Sequence, residues 1–139
     1  MHLLDTDTLT RLHNGHPKIV QHLQKLRDPD VGTTIITKAE ILRGRLSFLL
    51  KAPTSNDLLR AQYLLQRSEE LLAQLQIISL DERAAKHFAQ LRTIKRLRRV
   101  GHADLIIASI ALAHRATLVT RNLKHFRQVP SLNVVNWID

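Results

Sequence analysis

The sequence predicts an α/β fold built on a largely parallel sheet. Two observations carry this. Short apolar or β-branched runs alternate with longer stretches of helical periodicity, and Asn-Gly, Asp-Pro, Pro or Gly punctuation separates many of them. Taken in order, His2 to Leu4 is a short apolar run suited to a first strand. Thr6 to His13 reads as a helix stopped by Asn14-Gly15. Pro17 stands like the first residue of a helix running to about Leu26, and Asp28-Pro29-Asp30 breaks it. Val31 to Ile36 is rich in Val, Thr and Ile and reads as a strand.

A helix is expected from Lys38 toward Leu50, ended by Pro53, and a long one from Thr54 to Leu75. In the latter, Leu58, Ala61, Leu65, Leu72 and Leu75 form a core-facing stripe with Ser68 in the missing place. The same stripe could take part in a dimer seam. Gln76 to Leu80 is a candidate strand, and Asp81-Glu82 opens a helix expected to reach Arg99. Gly101 breaks the chain before a mostly apolar helix from Ala103 to His114. Ala116 to Thr120 is a strand, Asn122 to Phe126 a short helix, and Leu132 to Val135 a last strand.

The chain has 139 residues, a length suited to one domain spanning 1–139. It lacks cysteine, so any metal must be held by oxygen or imidazole. The longest apolar run, Leu105 to Ala113, is interrupted by Ser109 and falls far short of the roughly 20 residues of a membrane span. The amino terminus has no signal-peptide pattern, and a cytoplasmic protein is expected. A formal charge of +9 favours a polyanionic partner. Aromatic residues make up only 4% of the chain, which argues against a single-strand binder built on stacking platforms.

Only 12 side chains are acidic, so elimination is practical. In a parallel sheet, ligands gather at the carboxyl ends of the strands. Asp5, Asp7, Glu40 and Asp104 are the acidic residues placed near those ends, and Asn122 joins them after a later strand. Singly, each has a structural explanation. Asp5 and Asn122 suit helix N-caps, Thr37-Lys38-Ala39-Glu40 fits a capping box, and Asp104 complements a helix dipole. Together, three carboxylates on one edge repel one another, and a hard divalent cation such as Mg²⁺ resolves the repulsion.

These motifs resemble the PIN-domain family. Leu3-Leu4-Asp5-Thr6-Asp7 is similar to its opening. Thr37 to Gly44 (TKAEILRG), Gly101 to Ala108 (GHADLIIA), and Leu118 to Asn122 with Phe126 are similar to its later motifs. The closing Val134-Val135-Asn136-Trp137 matches too, so the likeness spans nearly the whole chain, and it is nearest to VapC-type toxins of toxin–antitoxin pairs. The resemblance implies a three-layer sandwich with a central, mostly parallel sheet of about five short strands between helices. It implies an endoribonuclease dependent on Mg²⁺ (Mn²⁺ being possible), with Asp5, Glu40 and Asp104 as metal ligands and products bearing 5′-phosphate and 3′-hydroxyl ends. The family's fourth acidic position is Asn122 here. An amide can orient water or phosphate but binds cations less strongly, so a second tightly held metal is not expected. The resemblance also implies a homodimer and a cognate antitoxin protein.

Substrate contacts are expected from Thr120, from Arg121, Arg43 and Arg45 beside motif residues, and from Arg98 and Arg99 in a run holding five cations between Arg92 and Arg99. That run is equally compatible with a solvated helix face. His102 beside Asp104 is expected to pack rather than to catalyse. Two other readings compete. Asp5-Thr6-Asp7-Thr8 also fits the DxDxT opening of haloacid-dehalogenase-like phosphatases, where the first Asp is a nucleophile. A non-catalytic RNA-binding protein on the same fold is the second, against which the acidic set argues.

Overall fold

The computed structural model describes residues 1–139. Five strands form one sheet in the order β3-β2-β1-β4-β5, every pair parallel. They are β1 (His2–Leu4), β2 (Val31–Thr34), β3 (Gln76–Ile78), β4 (Thr117–Val119) and β5 (Asn133–Val135). Helices α1 (Thr6–His13) and α2 (Pro17–Lys25) connect β1 to β2, and α3 (Ile35–Leu50) and α4 (Ser55–Ala73) connect β2 to β3. Between β3 and β4 run α5 (Glu82–Arg92), a 3₁₀ turn (Lys95–Arg99) and α6 (His102–Ala113), and α7 (Leu123–Phe126) precedes β5.

Strand periodicity of two sorts the side chains into two cores. Leu3 and Leu118 face one way, into a cluster with Ala84 and Leu91 of α5 and Ile107, Ala108 and Ile110 of α6. Leu4 and Val119 face the other way, onto Leu9, Ile19, Ile41 and Leu72 of α1 to α4 and onto Trp137. The expected helix–sheet–helix layering follows from this alternation. Trp137 also stacks on His2 and His22, with ring centroids 5.6 and 5.4 Å apart.

Central β1 has β2 on one side and β4 on the other. The chain moves outward through β2 and β3, returns across the sheet, and moves outward again through β4 and β5. The direction therefore reverses between β1 and β4, which opens a crevice at their carboxyl ends.

Two expected boundaries shift for identifiable reasons, and one expected stripe is only partly buried. The run Val31 to Ile36 does not stay a strand throughout. The Thr34 hydroxyl accepts from the Thr37 N–H at 3.2 Å and caps a helix that begins at Ile35, while Ile35 and Ile36 pack on the core from that helix. The helix expected to reach Arg99 ends at Arg92. Ile94 is extended, and the tighter 3₁₀ turn after it delivers Leu97 into the core, 1% exposed. The stripe on α4 is buried only at Ala61, Ser68 and Leu72, whereas Leu58 is exposed near the amino end.

β2 and β3 pack so closely that Gly32 has no room for a side chain, since a Cβ there would collide with the Gln76 carbonyl. The obstacle is backbone and cannot rotate away. Gly32→Ala should therefore destabilise the fold by about 1–3 kcal/mol, as overpacking does. Denaturant unfolding followed by the fluorescence of Trp137, the only tryptophan, would measure it.

Candidate active site

The crevice between β1 and β4 is lined by acidic side chains. Asp5 follows β1 immediately, and its N–H donates to the Val119 carbonyl at 3.0 Å. Its Oδ1 accepts from the Thr8 N–H at 3.0 Å, so it is the N-cap of α1, as the sequence allowed. The cap fixes the carboxylate at the strand end. Burial pushes its pKa up, against hydrogen bonds from the Thr120 hydroxyl and the Thr8 N–H that favour the ionised form.

Thr120 is fully buried, and its oxygen also accepts from the Asn122 N–H at 3.0 Å. One hydroxyl thus joins Asp5 to Asn122. The Asn122 side chain makes no capping bond to α7, contrary to its reading as an N-cap. Its Nδ2 lies 3.0 Å from Nδ1 of His125.

Because α3 starts at Ile35, Glu40 stands in its second turn, beyond the reach of a capping box, and that explanation lapses. The Thr6 hydroxyl instead donates to Glu40 Oε1 at 2.7 Å and stands 3.2 Å from the Thr37 hydroxyl. Asp104 sits in the first turn of α6. Its pKa is raised, first by burial, then by the charges of Glu40 and Asp5, while His125 acts in the opposite sense. Asp5, Glu40 and Asp104 line one cleft of about 220 Å³ with Thr6, Asp7 and Asn122. No three of these carboxylates close a ligand shell by themselves.

That geometry fits a hydrated ion. The donors are all oxygen, and the mutual repulsion at Asp104 is uncompensated by any ion pair. A small divalent cation can keep several waters and take only a few carboxylates, so an incomplete protein shell is compatible with one.

The expected substrate contacts divide. Arg121 lines an adjoining depression with Asp5, Asp7 and Asn122, and its Nε lies 3.4 Å from Asp139. Arg98 and Arg99 line a different depression of about 550 Å³, next to Arg92 and His102, which shares no residue with the acid cleft. Arg43 is exposed on α3 and lines neither. His102 packs edge-on against Phe88 at 5.0 Å, the structural role expected of it. Asp7 borders the cleft but pairs with Arg11 at 3.2 Å. Sequence reasoning overlooked Thr6 and His125. The spacing of Thr6 directly after Asp5 was a signal for the first, and nothing in the sequence marked the second.

Fold and site together define an α/β domain with an acid-lined cleft at the reversal point of a parallel sheet. The chain belongs to the PIN domain family, whose profile matches residues 2–132. It is 29% identical to Ribonuclease VapC2 of Rickettsia felis, over 99% of this chain and 98% of that protein. It is 26% identical to the tRNA(fMet)-specific endonuclease VapC of Salmonella typhimurium, over 97% of this chain and 96% of that protein. Among solved structures, VapBC2 from Rickettsia felis bound to a DNA fragment from its promoter superposes with a TM-score of 0.79. Identity there is 27%, with 98% of both chains covered.

Proposed function

We propose that this protein is a divalent-metal-dependent endoribonuclease, the toxin of a toxin–antitoxin pair, using Mg²⁺ or Mn²⁺. The observation that carries the reading is the convergence of Asp5, Glu40 and Asp104 on one cleft with their repulsion uncompensated. Family membership and the two ribonuclease relatives support it. A haloacid-dehalogenase-like reading loses its ground, because the family match spans the motif it rested on, and Asp7 is engaged by Arg11.

In this proposal Asp5, Glu40 and Asp104 hold the ion, which when bound supplies an acidified water and positive charge toward a phosphate. The rest falls to the chain. Thr6 holds the Glu40 carboxylate in place, and Thr120 ties Asp5 to Asn122. The Asn122 amide, positioned by His125, can donate to a phosphate oxygen. Arg121 adds charge at the rim.

For partners, the reading takes RNA as substrate, a homodimer and a cognate antitoxin protein. Leu46, Phe48, Leu50, Leu58 and Leu59 are exposed toward the carboxyl end of α3 and the amino end of α4, an apolar surface of the kind protein partners cover. No helix is long and apolar enough to cross a membrane.

The test is incubation with RNA and Mg²⁺, with and without chelator, beside a phosphate monoester. The proposal expects chelator-sensitive RNA cleavage leaving 5′-phosphate ends, and an untouched monoester. RNA left intact at every Mg²⁺ and Mn²⁺ level would overturn it. Thr6→Val should lower kcat by about tenfold without unfolding the chain, as removal of a single orienting hydrogen bond does. Equal kcat in single-turnover assays would remove Thr6 from the site.

A further inference from the structure

We propose that a groove between α1, α3 and α4 binds a backbone phosphate of single-stranded RNA through Arg45, Arg60 and His13. The inference rests on the nuclease reading for the identity of its ligand, and on independent geometry for the site. The groove measures about 440 Å³ and meets the acid cleft at Thr6 and Glu40, which border both. The two depressions therefore adjoin, and a strand held in one lies next to the other.

The charges in the groove lack counter-ions. Arg45 and Arg60 form no ion pair. Arg45 is fixed by a single bond from its Nε to the Ser68 hydroxyl, 3.0 Å long. Its two terminal NH₂ groups have no protein partner and are free for a bidentate anion. Burial first, and then the positive field of Arg45 and Arg67, disfavour protonation of His13, and Glu40 stands on the rim. A phosphate would relieve that field.

The lining selects RNA over an acidic peptide. Ile41 and Leu64 are its only apolar side chains, so it lacks the apolar anchors that hold a helical or proline-rich peptide in a groove. Most of the exposed large apolar residues lie toward the linked ends of α3 and α4, and none of them lines the groove. Arg45 lies two residues beyond the exposed Arg43, which places it on the side of α3 that turns toward α4.

The test is anisotropy of a fluorescein-labelled 12-nucleotide single-stranded RNA in chelator. Arg45→Gln/Arg60→Gln should bind at least tenfold more weakly than wild type. Its slope of log K against log salt should be shallower by about 1.4, the value for two lost contacts on a single strand. Arg83→Gln/Lys86→Gln, with the same charge loss on α5, should stay within twofold. Arg60→Gln alone, at an exposed side chain without partners, should weaken binding threefold and guards against misfolding of the double variant. Groove variants that bind like the α5 control would overturn the proposal. So would unchanged RNA affinity with lost affinity for a glutamate-rich decapeptide, which would mark a protein site. Groove-dependent binding without cleavage by the wild type would remove the nuclease reading and leave the groove standing.

Discussion

Asp104→Asn should reduce RNA cleavage by at least about a thousandfold in kcat/KM, a loss of roughly 4 kcal/mol in transition-state stabilisation. The same substitution should leave the chain folded and, in chelator at neutral pH, more stable than wild type. The two effects share one cause. Asp104 is desolvated at the rim of the core and faces the charges of Glu40 and Asp5. Its ionised form is therefore costly in the folded state, and the cost is useful only when a cation is present. An amide of the same shape removes the repulsion and with it the anionic ligand. Asparagine is also tolerated where Asp104 sits, in the first turn of α6, so the helix should persist. Initial-rate assays on RNA, paired with thermal unfolding in chelator, would measure both. A variant that cleaves normally would remove Asp104 from the chemistry. One that is inactive and strongly destabilised would mean that the carboxylate is structural.

Much of the site was legible because strand ends are legible. β1 is a three-residue apolar run, so the first acid after it could only lie at a sheet edge. Asp104 stands out because it opens an otherwise apolar helix. Glu40 was expected in the first turn of the helix after β2; it stands in the second and still lines the cleft. The β-branched run Val31 to Ile36 reads as strand by local propensity, yet the Thr34 cap and the pull of the core on Ile35 and Ile36 turn its last two residues into helix. That shift takes Glu40 out of capping range and leaves its carboxylate to Thr6.

What stayed hidden depends on contacts between distant segments. Thr6 meets Glu40 across 34 residues, and no local pattern encodes such a pairing. Thr120 was a candidate for substrate contact, whereas its buried hydroxyl is engaged by Asp5 and Asn122. The arginines divided for a similar reason. Counting cations near motif residues cannot tell Arg43, exposed on α3, from Arg45, which reaches Ser68 on α4. Side-chain direction is set by the rotation of a helix against its neighbour, and only packing fixes that rotation.

Mg²⁺ should raise the unfolding temperature of the wild type at pH 7 by several degrees and leave Asp104→Asn nearly unmoved. An ion at a hundred times its dissociation constant that binds only the folded chain stabilises it by about 2.7 kcal/mol. The pH dependence in chelator separates this from a general salt effect. Asp5 and Asp104 both have raised pKa values, so the folded chain holds protons that the unfolded chain has released. Their contribution is fully present below about pH 3.9, the unfolded carboxylate value, and is lost as pH rises through the folded values. Asp28, Asp81 and Asp139 have lowered values and act with the opposite slope, but below that same pH. His13, also lowered, adds stability as pH rises toward about 6.5 and would mask the carboxylates in the wild type alone. Subtracting the Asp104→Asn curve from the wild-type curve cancels His13 and these three aspartates. The difference in unfolding temperature should be small near pH 3.5, turn against the wild type by pH 7, and reverse sign when Mg²⁺ replaces chelator. A difference that is flat with pH and indifferent to Mg²⁺ would mean that the carboxylates do not share an ion, whatever the RNA assays report.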